Sequence, residues 1–164
     1  MRDSGRPRLW AAQDGNIAVR LAILVPLLVI AALAVRDYGG AFLEQKTLGT
    51  AADAGTRWGR NFGYDPNGIV TAARAATSLP AVTVSPASLC GCPGRSGIIQ
   101  YECHSSCPDG SSAQPYIVVT ASQCYSTTFS WPGVSYCSSG DTQCFAAGCT
   151  PKQIVLSAQS IGLR

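Results

Sequence analysis

The chain predicts an α+β fold: a long N-terminal hydrophobic α-helix (a transmembrane half plus an extension), a second short helix, then a small antiparallel β-sheet with disulfide-stapled loops. Three observations carry this. Residues 17–35 are apolar except for Arg20. Apolar residues recur with period two only from Ala81 onward. All eight cysteines lie between positions 90 and 149.

The apolar segment comes first. At about 1.5 Å of rise per helical residue it nearly spans a hydrocarbon core of about 30 Å. A basic leader with Arg2, Arg6 and Arg8 precedes it and a cysteine-rich polar stretch follows. The reading is an uncleaved membrane anchor. A cleaved signal peptide would show a small-x-small site followed by a polar mature start, and Ala32-Leu33-Ala34 comes closest. A buried soluble helix would need a partner on every side, and little else in the chain is apolar enough. The leader carries three arginines, while Arg36 on the far flank stands beside Asp37. That bias places the N-terminus in the cytoplasm and the C-terminal part in the periplasm or outside the cell. Arg20 lies near the cytoplasmic end, where it can snorkel to headgroups. Pro26 removes one helix hydrogen bond and is expected to kink the helix, a loss tolerated in lipid where neighbours re-satisfy the freed carbonyl.

Roughly 130 residues remain, enough for one small domain. The net charge of +3 is spread without a block and there are two lysines, Lys46 and Lys152. A nucleic-acid surface would cluster its cations, so no nucleic-acid partner is expected. Cys90, Cys92, Cys103, Cys107, Cys124, Cys137, Cys144 and Cys149 are an even set in a small extracytoplasmic domain and read as a disulfide framework. Cys90 and Cys92 are too close to bond each other, and each is expected to staple to Cys103, Cys107 or Cys124. Cys137, Cys144 and Cys149 are close enough for one local bridge. The sequence does not choose among the pairings.

Beyond the membrane segment, Tyr38, Phe42, Lys46 and Gly49 fall on one side of a continuing helix, which Ala-rich turns carry to about Arg60. Gly39-Gly40 is its weak point. Gly55 and Gly59 either admit a close neighbour or mark a loosely packed end. In Gly63-Tyr64-Asp65-Pro66-Asn67-Gly68, Asp65 suits a helix cap and Pro66 the first helical position. The segment lacks the further oxygen ligands of a calcium loop. A helix over Pro66–Thr77 then places Ile69, Ala72, Ala73 and Ala76 on one face, and Pro80 ends it. Expected strands are a short one at Val82 and Val84, then Ile98–Cys103, Tyr116–Ser126 and Ile154–Ser160. Short Pro, Gly and Ser turns favour an antiparallel sheet with one face on the helices.

Little chemistry is visible. Cys90-Gly91-Cys92 with Cys103-His104 and Cys107 is a poor match to zinc spacing, so no metal or other cofactor is expected. His104 is the only histidine and Glu44 and Glu102 the only glutamates. No G-x-S-x-G, C-x-x-C or phosphate-binding glycine loop occurs, and no catalytic residue is assigned. Tyr125, Phe129, Trp131 and Tyr136 form an aromatic group suited to holding a partner or to filling a small core.

One stretch carries a resemblance. Gly15 is followed by four mostly apolar residues, a charge at Arg20, and an apolar run with Pro26 eleven positions after the glycine. This resembles the N-terminus of the TadE-like minor pseudopilins of the bacterial tight-adherence (Flp, type IVc) pilus system. The resemblance implies a prepilin peptidase cut after Gly15, leaving Asn16 as the new N-terminus. It also implies that Arg20 occupies a docking position where the family has glutamate, with Leu21 where an aromatic is common. The implied layout is a basic cytoplasmic leader over 1–15, a transmembrane pilin-like helix over 16–62 and a cysteine-rich head over 63–164. The implied role is a non-enzymatic structural subunit at the inner membrane, with the prepilin peptidase and other pilin or pseudopilin subunits as partners. The alternative is a single-pass anchor displaying a disulfide-rich module that binds a ligand or surface.

Overall fold

A computed structural model describes residues 14–94, 97–138 and 141–164. The leader arginines Arg2, Arg6 and Arg8 lie outside the described residues. The chain divides into two compact units, residues 1–40 and 41–164. Helix α1 (Asp14–Phe62) is unbroken at Pro26 and at Gly39-Gly40, and from Ala41 onward it belongs to the second unit.

Helix α2 (Pro66–Ala75) starts where the capping signals place it. The Asp65 carboxylate accepts from the Asn67 and Gly68 N–H groups at 3.1 and 3.2 Å, and Pro66 opens the first turn. These two donors have no carbonyl partner inside the helix, so the side chain satisfies them. Asp65→Ala should cost about 1 kcal/mol, read as a lower denaturation midpoint at unchanged slope. The helix stops at Ala75, before the expected Thr77. Ala76 and Thr77 instead donate to Ala73 and Arg74 carbonyls, the tighter i→i+3 pattern of a fraying end.

The sheet contains β1 (Thr83–Gly94), β2 (Gly97–Gln100), β3 (Gln114–Ser126) and β4 (Gln153–Leu163), antiparallel throughout in the order β2-β1-β3-β4. The order departs from a meander because β3 pairs with β1 rather than with β2. The short strand expected at Val82 and Val84 runs on to Gly94, its backbone claimed by β3 from Thr83 to Gly91 and by β2 from Gly91 to Gly94. The second expected strand ends at Gln100 instead of Cys103. Past it, Tyr101 donates to the Cys90 carbonyl at 2.9 Å and Cys103 is tied to Cys90. A short helix α3 (Thr142–Ala147) was not expected.

Alternate residues of β3 build the core of the second unit. Ile117, Val119 and Ala121 are fully buried with Leu48, Ala51 and Ala52 of α1 and Ile69 of α2. Gly55 and Gly59 make this approach possible. A Cβ on Gly55 would stand 3.2 Å from both Ile69 Cγ2 and Val119 Cγ1, and one on Gly59 would stand 2.9 Å from Ile117 Cδ1. The sheet presents its own gap at Gly162, where a Cβ would meet Thr56 Cγ2 at 2.6 Å. Helix and sheet therefore touch through missing side chains on both surfaces.

Candidate functional site

The cysteines pair as Cys90–Cys103, Cys92–Cys107, Cys124–Cys149 and Cys137–Cys144, with Cα–Cα distances of 5.1 to 5.7 Å. Cys90 and Cys92 are two apart on β1, so their side chains leave the same face of the strand. Both bridges thus fasten the one loop that follows β2. Cys92, Cys107 and Ala113 form a small second core there, with Cys90 and Tyr101 packed against it. The other two bridges hold the long connection between β3 and β4. Cys124 on β3 reaches Cys149, and Cys137 closes a seven-residue step to Cys144 on α3. Loops with so few apolar residues would not order themselves by burial, and covalent closure restricts the unfolded chain instead.

That connection displays three of the four aromatic residues together. Phe129 and Trp131 meet edge to face, their ring centroids 6.3 Å apart. The Tyr136 hydroxyl donates to the Phe129 carbonyl at 3.0 Å and accepts from the Trp131 N–H at 2.8 Å. Thr127 Oγ1 also donates to the Phe129 carbonyl, at 2.7 Å. Phe129 remains half exposed. Tyr125 is half-buried against the main core. The turn is a fixed aromatic projection, of the kind that anchors contacts at low entropic cost.

His104 is exposed, with φ of 72°. With Tyr116, Arg164 and the Cys90–Cys103 bridge it borders an open cleft of about 280 Å³. Among the described residues no three His, Cys, Asp or Glu side chains gather as metal ligands. Burial raises the Glu44 carboxyl above its ordinary pKa, and hydrogen bonds from Ser111 lower that of Asp109. Glu44 stands on α1 and Asp109 on the loop before β3.

The first unit is dominated by the apolar part of α1. Its most apolar window has mean hydropathy 2.7 and none of it is buried. Side chains all round the helix are open, among them Ile17, Leu24, Leu28 and Val35. A helix apolar on every side and covered on none is suited to lipid rather than water. Gly15 and Asn16 lie in its first turn, Arg20 is exposed one turn later, and Pro26 lies within the run.

Residues 15–58 match the family described as putative Flp pilus-assembly TadE/G-like. No curated protein and no solved structure matches the chain. The matched stretch opens at Gly15 and takes in Arg20, Pro26 and Gly55, all on α1. It stops before α2, so the sheet and its bridges lie outside it. The match supports the TadE-like resemblance, and with the apolar helix it points to a single-pass membrane protein related to Flp pilus assembly.

Proposed function

We propose that this chain is a non-enzymatic structural subunit, a minor pseudopilin that takes part in assembling a tight-adherence pilus at the bacterial inner membrane. The match that opens at Gly15, on an uncovered apolar helix, is the observation that carries the reading. The helix sits in the inner membrane with the leader in the cytoplasm and the bridged sheet in the periplasm or outside. Prepilin peptidase cuts between Gly15 and Asn16, and the freed helix packs with helices of neighbouring pilin subunits. Four bridges suit an oxidising compartment, which supports that orientation. The spread-out positive charge supports the absence of a nucleic-acid partner.

Arg20 defines how this subunit docks. A guanidinium near the membrane boundary needs an anion, supplied by a lipid phosphate before assembly and by a neighbour's carboxylate afterwards. Its partners therefore carry the opposite charge from those of a subunit with glutamate there.

Mass spectrometry of the chain from its native membrane tests the reading. The N-terminus should be Asn16. An intact Met1 start would instead support an ordinary anchor that displays a binding module. The second reading draws on the aromatic turn at Phe129, Trp131 and Tyr136, which lies outside the matched stretch. In the assembly reading, Arg20→Glu leaves the start at Asn16 but weakens association with the subunits that pair with the arginine.

A further inference from the structure

We propose that the aromatic turn between β3 and β4 is a second membrane contact, with Phe129 and Trp131 entering the headgroup layer of the bilayer that holds α1. The proposal rests on the membrane-anchor reading of α1. The direction of α1 inside the second unit fixes the end of the sheet at which the chain arrives from the anchor. Gly55 lies against Val119 and Gly59 against Ile117, so α1 runs antiparallel to β3. Thr56 Oγ1 donates to the Ser160 carbonyl at 3.4 Å, which agrees, because β4 is antiparallel to β3. Ala41 stands fourteen residues before Gly55, about 21 Å back along the helix. Ser126 stands seven residues after Val119, about 23 Å along the strand in the same direction. Ala41 is thus level with the end of β3, and it packs against the same core as the paired residues Tyr125 and Ile154. The turn begins at the next residue, Thr127.

Chain length then bounds the distance to lipid. The apolar run ends at Val35, and six residues lead from there to Ala41. They span about 9 Å as helix and at most about 20 Å fully extended. The headgroup layer outside the hydrocarbon is about 5–8 Å thick on each side. A turn that leaves β3 level with Ala41 is within reach of that layer.

Its chemistry suits the same place. Thr127–Ser138 contains no charged residue, and Asp141 and Lys152 are the only charges between β3 and β4. Entry into the headgroup layer therefore strips no ion of its water. Phe129 is 50% exposed and Pro132 beside the Trp131 ring is exposed. Aromatic side chains with a polar edge, Trp and Tyr above all, concentrate at the membrane–water boundary. The Tyr136 hydroxyl already fixes the backbone at Phe129 and Trp131, so little order is lost on contact. The cleft beside His104 lies near Pro115 and Arg164, at the opposite end of β3 and β4, and takes no part.

Tryptophan quenching by brominated lipid tests the contact. The full chain with Trp10→Phe and Trp58→Phe keeps Trp131 as its only tryptophan. In vesicles of phosphatidylcholine and phosphatidylglycerol, bromine near the glycerol end of the acyl chains should quench Trp131 at least about twofold more than bromine at the chain ends. Phe129→Asp in that chain should cut the quenching at least about twofold, because the added carboxylate holds the turn in water. The difference in quenching between the parent and Trp131→Phe gives the same contribution with Trp58 in place. A chain with all three tryptophans as phenylalanine and Leu28→Trp reports on α1 itself, and should be quenched most by bromine at the chain ends. Quenching at Leu28→Trp with none at Trp131 would overturn the proposal and leave the turn to a protein partner. Quenching at neither position would overturn the anchor reading as well.

Discussion

Removing the Cys124–Cys149 bridge by a double alanine substitution should destabilise the second unit by about 3 kcal/mol, and removing Cys137–Cys144 by about 2 kcal/mol. The order follows from the loops closed, with sequence separations of 25 and 7. The larger loop contains the aromatic turn, α3 and the smaller bridge. Opening it frees the unfolded chain most and also releases the turn's attachment to β3. The smaller bridge only closes the approach to α3. Denaturant unfolding of each double variant, against the parent, measures both losses. Near-UV circular dichroism should fall in the native baseline of the Cys124→Ala/Cys149→Ala chain, because Phe129, Trp131 and Tyr136 lose their fixed surroundings. A larger loss from the Cys137–Cys144 pair would show that local strain, not loop closure, governs these loops.

Ile117→Ala should cost about 3–4 kcal/mol, from lost burial and from the cavity left behind. Ile117 is fully buried and its Cδ1 fills the space over Gly59. The same geometry gives a sharper result in a double-mutant cycle. In the parent, a methyl on Gly59 would press on Ile117 Cδ1 at 2.9 Å and on Ile69 Cδ1 at 3.2 Å. Once Ile117 is alanine, the Gly59 methyl enters vacated space, and alanine also favours the helix by up to about 1 kcal/mol. Gly59→Ala should therefore be near neutral alone and recover about 1 kcal/mol in the Ile117→Ala background. Simple additivity would place Ile117 and Gly59 in separate environments.

The elements legible in the sequence are those set by nearby residues. The α1 apolar run, the Asp65-Pro66 cap and the β-branched run of β3 each carry their signal within one segment. What was not legible is non-local. Ser85-Pro86-Ala87-Ser88-Leu89-Cys90-Gly91-Cys92-Pro93-Gly94 has no alternating pattern, and it is strand because β3 and β2 take up its backbone. For α3, six residues are too few for a helical period, and Asp141 Oδ1 accepting the Gln143 N–H at 3.0 Å is the one local hint. At the candidate site, the exclusion of a Cys90–Cys92 bond followed from spacing. The choice of Cys103 for one and Cys107 for the other followed from the antiparallel pairing of β2 with β1, which brings the loop back. The aromatic residues were visible as a group, but the Tyr136 hydroxyl that ties Phe129 to Trp131 is a contact only the fold provides.

The central claim is that the apolar half of α1 lies in a membrane and exports the cysteines to an oxidising space. Alkaline extraction of membranes, followed by thiol alkylation with and without reductant, tests it in one preparation. The chain should stay in the membrane pellet and gain label on its eight cysteines only after reduction. A chain released to the soluble fraction, with those cysteines labelled before any reductant is added, would contradict it.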